Sequence, residues 1–522
     1  MIVVGGGPVG LALAMDLVRQ DISTVLLDED DTVSIGSRSI CWAKRTLEIF
    51  DRLGCAERMV ARGITWNLGK VFHGEKLLYE FNLLPERYHH FPAFINLQQN
   101  LAEEIFVAEA ERLGERGLNL RWKNRVVGVV PHADRVDVQI ETPDGPYQLS
   151  CDYLIAADGV RSTVRRALGL DFKGQVFEDH FLITDVRMHA DFPTERRFWF
   201  DPPFHAGRSA LLHRQADDVW RIDLQLGADA DPELERQPER VIPRIRAMLG
   251  PDREFDIVWT SVYTFQCRRL DKFRHGRVLF AGDAAHQVSP FGARGGNGGV
   301  QDADNLAWKL ALVLKGLAPE QLLESYDAER IPAADENIMH STHATDFMTP
   351  KDAASAALRD AALTLAERHP FARNLVNSGR LSRPAILDGS PLSTEDRERF
   401  AYPMRPGSPA ADAMVLHPDG SPTWLLRELQ QGFTALFFGD DEAPFAELAP
   451  LAEGPVPVTL RRIGRNAFTD VTGSARERYD ATSGTLYLLR PDQHVVARWR
   501  WPDLEAIRRA LDHALARTEQ RS

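Results

Sequence analysis

Residues 2–30 read IVVGGGPVGLALAMDLVRQDISTVLLDED, and this stretch decides the fold of the first part of the chain. Its apolar, β-branched start, Ile2–Val4, is typical of a buried strand, and a glycine-rich turn follows at once. The next residues have the apolar periodicity of a helix, and a second apolar run, Thr24–Leu27, ends at Asp28. The order strand, tight turn, helix, strand predicts the opening unit of an α/β domain.

The glycines of this stretch have the G-x-G-x-x-G spacing of a dinucleotide site. Gly5 permits the turn, Gly7 lets a pyrophosphate approach the backbone, and Gly10 lets helix and strand pack closely. The helix N-terminus adds N–H donors and the positive end of a dipole. Asp28, 18 residues after Gly10, stands where an acid binds a ribose hydroxyl. The stretch therefore predicts that a dinucleotide binds here.

The composition of the whole chain limits the class of protein to which it can belong. With 522 residues, 44% of them hydrophobic, it is long enough for about two or three domains with their own cores. The formal net charge of −13 argues against a nucleic-acid surface, and no apolar run approaches the roughly 18 residues of a membrane span. The four cysteines are scattered without a C-x-x-C pair, so we expect neither a disulfide framework nor a metal site.

Two later segments each end a buried strand at an acidic turn. In CDYLIAADGVRSTVRRALGL, an apolar strand ends in Asp158-Gly159, and a short helix follows. In GRVLFAGDAAHQVSPFGARGGNGGVQDADNLAWKL, a second apolar strand ends in Gly282-Asp283. The glycine-rich run GARGGNGG after it is costly to order, which indicates that a ligand approaches the backbone there. We expect the following helix to begin near Asp302, because acids favour a first helical turn.

With these motifs, the sequence resembles the single-component, class A flavoprotein monooxygenases that hydroxylate aromatic rings, of the phenol hydroxylase and 3-(3-hydroxyphenyl)propionate hydroxylase type. The resemblance rests on the G-x-G-x-x-G start, the Asp158-Gly159 and Gly282-Asp283 turns, and LLESYDAERIPAA at residues 322–334, in that order. It extends to about residue 345. It implies that the chain is an enzyme and that its cofactor is FAD.

The family's FAD-binding residues carry over to positions of this chain. Asp283 is expected at the ribityl or ribose part of FAD, the glycines after Arg294 beside the isoalloxazine ring, and Arg38 and Gln99 near the cofactor. Arg294 itself is either solvated or close to the flavin or an anionic substrate. The implied FAD-binding residues are Gly5, Gly7, Pro8, Gly10, Asp28, Glu29, Arg38, Gln99, Asp158, Gly159, Arg161, Gly282, Asp283, Pro290, Gly295, Gly296 and Asn297.

The resemblance also implies the organisation of the chain, a mixed α/β fold (α+β in its parts). A Rossmann-type FAD-binding domain of the para-hydroxybenzoate hydroxylase type is expected at 1–175 and 269–345, with an inserted β-sheet substrate domain at 176–268. A helical and irregular linker at 346–405 leads to a thioredoxin-like C-terminal domain at 406–522. The last domain contains no cysteine, so it cannot perform dithiol chemistry, and a packing or dimer role remains for it.

The inserted domain is expected to hold the substrate. Residues 220–226, WRIDLQL, alternate apolar and polar side chains, which predicts strands with one polar face, and Phe198 and Phe200 can supply apolar walls. An ionised phenol is the reactive form of the ring, so a base or acceptor should lie near its proton. The predicted catalytic residues are His213, Asp223, Tyr263 and Arg221, with His205 as a further base and Arg208 and Arg214 as further partners for a carboxylate.

The predicted function is hydroxylation of a phenolic compound with NAD(P)H and O2 through a flavin C4a-hydroperoxide. NADPH or NADH is expected to bind transiently, with Arg161 and Arg165 as candidate contacts, because no second G-x-G-x-x-G follows. A cytoplasmic homodimer without nucleic-acid or membrane partners is expected. Two alternatives stay open, namely a hydroxylase or epoxidase of a polyketide or other complex aromatic, and a non-catalytic FAD-binding sensor or scaffold.

Overall fold

The computed structural model describes residues 1–36, 39–376, 381–401, 404–429 and 431–517. The strands, numbered along the chain, are β1 (Ile2–Val4), β2 (Thr24–Leu27), β3 (Cys41–Ala43), β4 (Ile64–Trp66), β5 (Leu68–His73), β6 (Lys76–Asn82), β7 (Phe94–Asn96), β8 (Leu118–Arg121), β9 (Arg125–Pro131), β10 (Val136–Thr142), β11 (Gly145–Cys151), β12 (Leu154–Ala156), β13 (Lys173–Arg187), β14 (Arg196–Phe200), β15 (Ser209–Arg214), β16 (Val219–Gly227), β17 (Asp256–Arg269), β18 (Arg274–His275), β19 (Val278–Phe280), β20 (His286–Gln287), β21 (Met414–Leu416), β22 (Pro422–Trp424), β23 (Phe433–Phe438), β24 (Val458–Ile463), β25 (Leu486–Leu489) and β26 (Val495–Trp499).

The helices are α1 (Pro8–Arg19), α2 (Lys44–Arg52), α3 (Ala56–Arg62), α4 (Gln99–Arg112), α5 (Thr163–Ala167), α6 (Pro232–Glu235), α7 (Pro238–Leu249), α8 (Gly295–Leu314), α9 (Glu324–Met348), α10 (Ala353–Ala366), α11 (Pro370–Val376), α12 (Leu425–Glu428), α13 (Ala443–Ala446), α14 (Ser474–Arg478) and α15 (Leu504–Ala514). In the described part of the chain, no helix is both long enough and apolar enough to cross a membrane.

The first sheet brings the three turns singled out in the sequence to one edge. Its strand order is β18-β19-β12-β1-β2-β8, and the five strands from β19 to β8 run parallel. These strands are apolar runs buried on both faces, as parallel strands usually are. Because Val4, Ala156 and Phe280 pair side by side, the turns that follow β1, β12 and β19 lie next to one another. This is the edge at which α/β sheets bind ligands.

The second large sheet, β20-β17-β13-β16-β15-β14-β5-β6, has two apolar faces. Leu224 and its neighbours on one face pack against Val241 and Ile245 of α7. The other face carries Phe181, Phe200 and Phe265, which pack towards Phe291 and Met348 and so towards the glycine-rich helix α8 and helix α9. Strands β5 and β6 precede residue 176 in the chain, so this sheet includes more than the inserted segment. The domain limits themselves stay a prediction.

The last part of the chain forms a four-stranded sheet with the order β24-β23-β25-β26. β23 and β24 are parallel, whereas β25 is antiparallel to both β23 and β26. A βαβ unit followed by a ββα unit gives this order, as the thioredoxin-like prediction requires. Helix α15 covers one face with Ile507 and Ala510, and on the same side Trp308 of α8 meets Phe433 edge to face at 5.8 Å.

Buried polar side chains join α8 and α9 to the turn between β25 and β26. Glu329 accepts hydrogen bonds from Lys309 Nζ and Asn305 Nδ2, each at 2.7 Å, and from Arg490. Arg490 also donates to Asp492 through Nε at 2.9 Å. We call this group the buried ion cluster. It consists of Asn305, Lys309, Glu329, Ser390, Arg490 and Asp492, all buried.

The same turn also contacts α2. Gln493 Oε1 accepts hydrogen bonds from Arg45 at 3.2 Å and from Arg52 at 2.7 Å, and Arg45 donates to the backbone carbonyl of Asp492. The turn between β25 and β26 therefore touches α2, α8 and α9 together. Two of these helices begin beside the predicted flavin site, since α2 follows β3 and α8 begins with the glycine-rich run.

Candidate functional site

The turn between β1 and α1 is packed tightly at two glycines and open at the third. Gly5 has φ +107°, and a Cβ placed there would lie 2.4 Å from the Ala157 carbonyl oxygen. A Cβ at Gly10 would lie 1.9 Å from the Gly5 carbonyl oxygen. At Gly7, the N-cap of α1, no atom of the described residues beyond its chain neighbours lies within 4 Å of the Cβ position. The helix N-terminus is therefore open on the side from which a phosphate would approach.

Asp28 supports this turn from the end of β2. Its carboxylate accepts hydrogen bonds from the backbone N–H groups of Gly6 and Asp30, and burial raises its pKa. Pro8 occupies the first position of α1, where the missing N–H costs nothing. Glu29 is exposed. One oxygen of Asp28 thus already holds the glycine turn, and its contact with a ribose hydroxyl stays a prediction.

The turn after β12 carries a buried acceptor that lacks a partner. Asp158 Oδ2 accepts a hydrogen bond from Val164 N–H at 3.2 Å, whereas Oδ1 is buried without a hydrogen-bond partner in the described part of the chain. Burial raises the pKa of Asp158. Gly159 has φ +71° and open space at its Cβ position, and Arg161 is exposed. An orphaned acceptor beside an open glycine fits a bound hydroxyl-bearing ligand.

The glycine-rich run is itself helical, so the expectation that the helix begins near Asp302 is wrong. Helix α8 begins at Gly295, and Asp302 lies buried about two turns further along it. There it accepts hydrogen bonds from Gly282 N–H at 3.0 Å and from Arg330 Nε at 2.7 Å, and it lies 2.6 Å from His286 Nε2. Asp302 is thus placed by tertiary ion pairs that fix the turn after β19, and not by the helix dipole.

The first turn of α8 is fixed from inside and open outside. Asn297 accepts from Ala43 N–H and donates to the carbonyls of Cys41 and Ala293, so its side chain ties α8 to β3. The first N–H groups of a helix have no acceptor within it. Those of Gly295 and Gly296 belong to this class, and the nearest atom to a Cβ at Gly295 is 3.5 Å away. These donors can therefore face a ligand.

The remaining predicted cofactor residues surround this edge. Gln99 at the start of α4 accepts from Ser39 N–H at 3.1 Å and donates to Glu103 at 2.8 Å, so it supports the segment next to Arg38. Arg38 lies outside the described residues. Asp283 and Pro290 are exposed, and Asp283 Oδ1 lies 4.0 Å from the Cβ position of Gly295. The open glycines, the orphaned Asp158 oxygen and the helix N-termini fit FAD.

A cavity of about 330 Å³ lies next to the start of α8, between the eight-stranded sheet and α9. Aromatic side chains form much of its wall, namely Phe81, Phe198, Phe200 and Phe291. Its charged or titratable wall residues are Lys70, Arg196, Arg294, His340 and His343. The volume lies within the range of about 300–1,000 Å³ usual for small-molecule sites.

The predicted catalytic residues lie on the sheet face that turns towards this cavity. Strand pairing places Asp223 beside Leu211, and Leu211 beside Phe198 of the cavity wall. Asp223 is partly exposed, but its Oδ1 is buried without a hydrogen-bond partner in the described residues. Burial raises the pKa of Asp223 to about 6 against the opposing effect of Arg221 and Arg196.

The other candidates are more fully engaged with the protein. His213 is buried, and its ring lies 3.5 Å from Asn96 Nδ2. Burial lowers its pKa far below the usual value, and the charges of the nearby arginines lower it further. Arg221 pairs with Asp185 at 2.9 Å. Tyr263 packs in the aromatic cluster of this face. The three further candidates are placed elsewhere. His205 bonds the Gln225 carbonyl, Arg214 pairs with Asp218, and Arg208 is exposed.

Sequence reasoning missed Arg196, Lys70, His340 and His343 as wall residues of the cavity. Arg196 had a usable signal, because it alternates with Phe198 and Phe200 on β14 and must share their face. The two histidines lie on a helix far along the chain, and no local pattern connects them to β14. Arg294, whose role stayed open, lies on the cavity wall.

The comparisons with known proteins agree with this geometry. Residues 1–341 match the family model described as FAD binding domain. The chain is 31% identical to 6-methylpretetramide 4-monooxygenase of Streptomyces rimosus over 95% of this chain and 90% of that protein. It is 27% identical to 3-(3-hydroxy-phenyl)propionate/3-hydroxycinnamic acid hydroxylase of Mycolicibacterium smegmatis, over 94% and 89%.

Among solved structures, the flavin-dependent monooxygenase PieE, determined in complex with FAD and substrate, superposes with a TM-score of 0.83. The superposition covers 99% of both chains at 23% identity, and it confirms the predicted mixed α/β fold.

Proposed function

The chain belongs to the FAD binding domain family and is an FAD-dependent monooxygenase. From that premise we propose that it hydroxylates a phenolic aromatic ring, with NADPH or NADH as reductant and O2 as oxidant. The observation that supports this reading best is the phenylalanine-walled cavity beside the first turn of α8. A flat apolar ring fits such walls, and the edge that fits FAD lies next to it.

FAD, when bound, would activate O2, and one oxygen atom of that O2 would be transferred to the ring. The chain's own part is to hold the ring and to take its phenolic proton. We assign the proton to Asp223, because its Oδ1 is buried without a hydrogen-bond partner in the described residues and its pKa of about 6 leaves it ionised at neutral pH. Asp223 lies two strands from Phe198 of the cavity wall, so a water molecule would carry the phenolic proton from the substrate ring to the Asp223 carboxylate.

The other predicted residues of this face have supporting roles in the proposal. Arg221, held by its ion pair with Asp185, favours the carboxylate form of Asp223 as Arg196 does, whereas the negative charge of Asp185 opposes it. His213, kept neutral by burial, can accept a hydrogen bond but is a weak base. Tyr263 contributes its ring to the wall.

For the reductant, the two predicted contacts, Arg161 and Arg165, lie at the turn after β12. Arg165 donates to the Val160 carbonyl at 2.7 Å and stacks 4.1 Å from the Phe172 ring, so it is occupied in holding the turn. Arg161 is exposed beside it. We therefore propose Arg161 as the contact for the nicotinamide nucleotide. The cytoplasmic location and the homodimer stay predictions.

The test is anaerobic stopped-flow reduction of the FAD-loaded enzyme by NADH and by NADPH, with and without a panel of phenols. We expect one nucleotide to reduce the flavin and one class of phenol to accelerate that step by at least an order of magnitude. Aerobic turnover with isotopically labelled O2 should then place one labelled oxygen in the product. If neither nucleotide reduced the flavin, the proposed reductant would be wrong. If the product carried no label, the proposed hydroxylation would be wrong.

The panel has two arms, because the relatives differ in what their names say they act on. One is a 6-methylpretetramide 4-monooxygenase and another acts on 3-(3-hydroxy-phenyl)propionate and 3-hydroxycinnamic acid. The panel therefore contains one set of polycyclic phenols and one set of single-ring phenols. The arm that accelerates flavin reduction decides between a complex aromatic and a simple phenolic compound.

A further inference from the structure

The cavity is cationic, although the chain as a whole carries a net charge of −13. Its charged or titratable wall residues are all basic types, and no Asp or Glu is among the described residues that line it. Such a contrast needs an explanation, because an aromatic cavity that takes only neutral rings gains nothing from positive charge. The protein partners of each basic side chain decide which of these charges is left for a ligand.

Three of the basic side chains have partners from the protein. Lys70 lies 2.9 Å from Glu195 and 3.3 Å from Glu80. Arg294 donates to Asn337 Oδ1 at 3.5 Å, and His340 Nε2 lies 3.6 Å from Glu336. His343 is exposed. Lys70 and His340 thus have carboxylate partners from the protein, and Arg294 has an amide partner.

Arg196 differs from these residues. In the described part of the chain no carboxylate lies within ion-pair distance of its guanidinium, and Nη1 is buried without a hydrogen-bond acceptor. The adjacent Arg197 points to the opposite face, where it pairs with Glu195 at 2.8 Å and lies over the Phe192 ring. Of these two neighbouring arginines, Arg197 has a carboxylate partner, whereas Arg196 on the cavity wall has none among the described residues.

The charges around Arg196 do not remove this imbalance. Arg221, nearby on the same face, is already paired with Asp185. Asp223 lies close enough to interact electrostatically with Arg196 but forms no hydrogen bond with it. A buried guanidinium edge without an acceptor is costly, and a planar guanidinium binds two oxygens of one anion side by side.

We propose that the substrate carries an anionic pair of oxygens, either a carboxylate or an ionised 1,3-dicarbonyl enol, that pairs with Arg196 while its ring lies among the phenylalanines. This inference rests on the proposed function and adds the class of substrate to it. It assigns Arg196 as the residue that selects acidic aromatic compounds over neutral ones.

The test compares matched acid and neutral ligands. The dissociation constants of 3-hydroxy-2-naphthoate and its primary amide are measured by the change they cause in the flavin absorbance of the FAD-loaded enzyme. A second arm compares an aromatic 1,3-diketone with its non-ionisable O-methyl ether. We expect the anion to bind about 10- to 100-fold more tightly than its neutral partner in at least one arm. That arm then identifies the source of the oxygens.

The variants R196Q, R196K and R197Q locate the effect. R196Q should lose the preference for the anion, R196K should keep part of it, and R197Q should bind like the wild type because Arg197 faces away from the cavity. FAD content and melting temperature identify a variant that has misfolded, and recovery by R196K shows that the charge at this position is what matters.

Equal binding of anion and neutral partner in both arms, or an R196Q variant with unchanged preference, would overturn the inference. Hydroxylation of neutral phenols as fast as acids would overturn the anion site and leave the proposed function standing. Anions that bind through Arg196 while no compound is hydroxylated would instead overturn the proposed function alone.

Discussion

Replacing Glu329 by Gln should destabilise the enzyme severely, because four buried groups of the described residues donate hydrogen bonds to this carboxylate. Lys309, Asn305 and Arg490 all donate to it, and Gln would turn an amide N–H₂ towards them. Burial alone would raise the pKa of Glu329, but Arg490 and Lys309 outweigh it and hold the pKa below the usual range. Glu329 is therefore ionised in the native state, and its loss leaves one buried positive charge uncompensated, because Asp492 can balance Arg490 but not Lys309 as well.

The size of the effect follows from the burial of the cluster. Both side chains of the Lys309–Glu329 pair are 0% exposed, and breaking such a pair from one side costs about 3–5 kcal/mol. If the whole chain unfolds together, this lowers the melting temperature by about 3–5 °C. FAD should be released in the same transition, because α8 carries both Lys309 and the first-turn glycines of the flavin edge.

The assay is urea unfolding of the holoenzyme, followed by circular dichroism and by the fluorescence of released flavin. E324Q is the matched control, since Glu324 begins the same helix and is exposed. The double variant E329Q/K309M should recover part of the loss, because it removes one unpaired cation. An E329Q enzyme as stable as E324Q, within about 0.5 kcal/mol, would refute the reasoning.

Three further predictions concern the site itself. Without FAD, G7A should fold and melt like the wild type, because the added methyl group enters open space. It should bind FAD at least about tenfold more weakly, because that space is the one proposed for the ligand, and an FAD affinity equal to that of the wild type would contradict the open N-cap. G10A should fail at the folding stage, since its Cβ would overlap the Gly5 carbonyl oxygen, and G114A, with open space, is its control in a solubility and melting assay. The kcat/KM of the wild type should fall as pH drops below about 6, because Asp223 is then protonated. D223N should be slow at every pH, whereas D229N, changed at an exposed site, should keep the wild-type pH profile. A D223N enzyme with the wild-type pH profile would exclude Asp223 as the base.

The cofactor edge could be predicted from sequence because its determinants are local. The strands Ile2–Val4 and Thr24–Leu27 have the predicted bounds, and the glycine turn follows from spacing alone. The start of α8 could not be predicted in this way. Glycine is a poor helix former, and the run is helical because Asn297 and Asp302 are anchored by groups distant in the chain.

The cavity and the buried ion cluster are harder to predict for the same reason. Arg196 could have been inferred from the alternation of β14, but its lack of an anion depends on where every acid of the chain comes to lie. Arg490 and Glu329 are 161 residues apart, and their pairing depends on how the last sheet packs on α8. No periodicity or motif encodes such a contact.

The buried ion cluster also sets an order of events during synthesis of the chain. Glu329 leaves the ribosome 161 residues before Arg490, a delay of about 8–30 s at roughly 5–20 residues per second. Throughout that interval Glu329 can pair with Lys309, which has already been made, but not with Arg490. The last hairpin therefore completes a charge cluster that the flavin domain has only half formed by itself. A chain that ends before that hairpin would leave Glu329 with one of its two cationic partners.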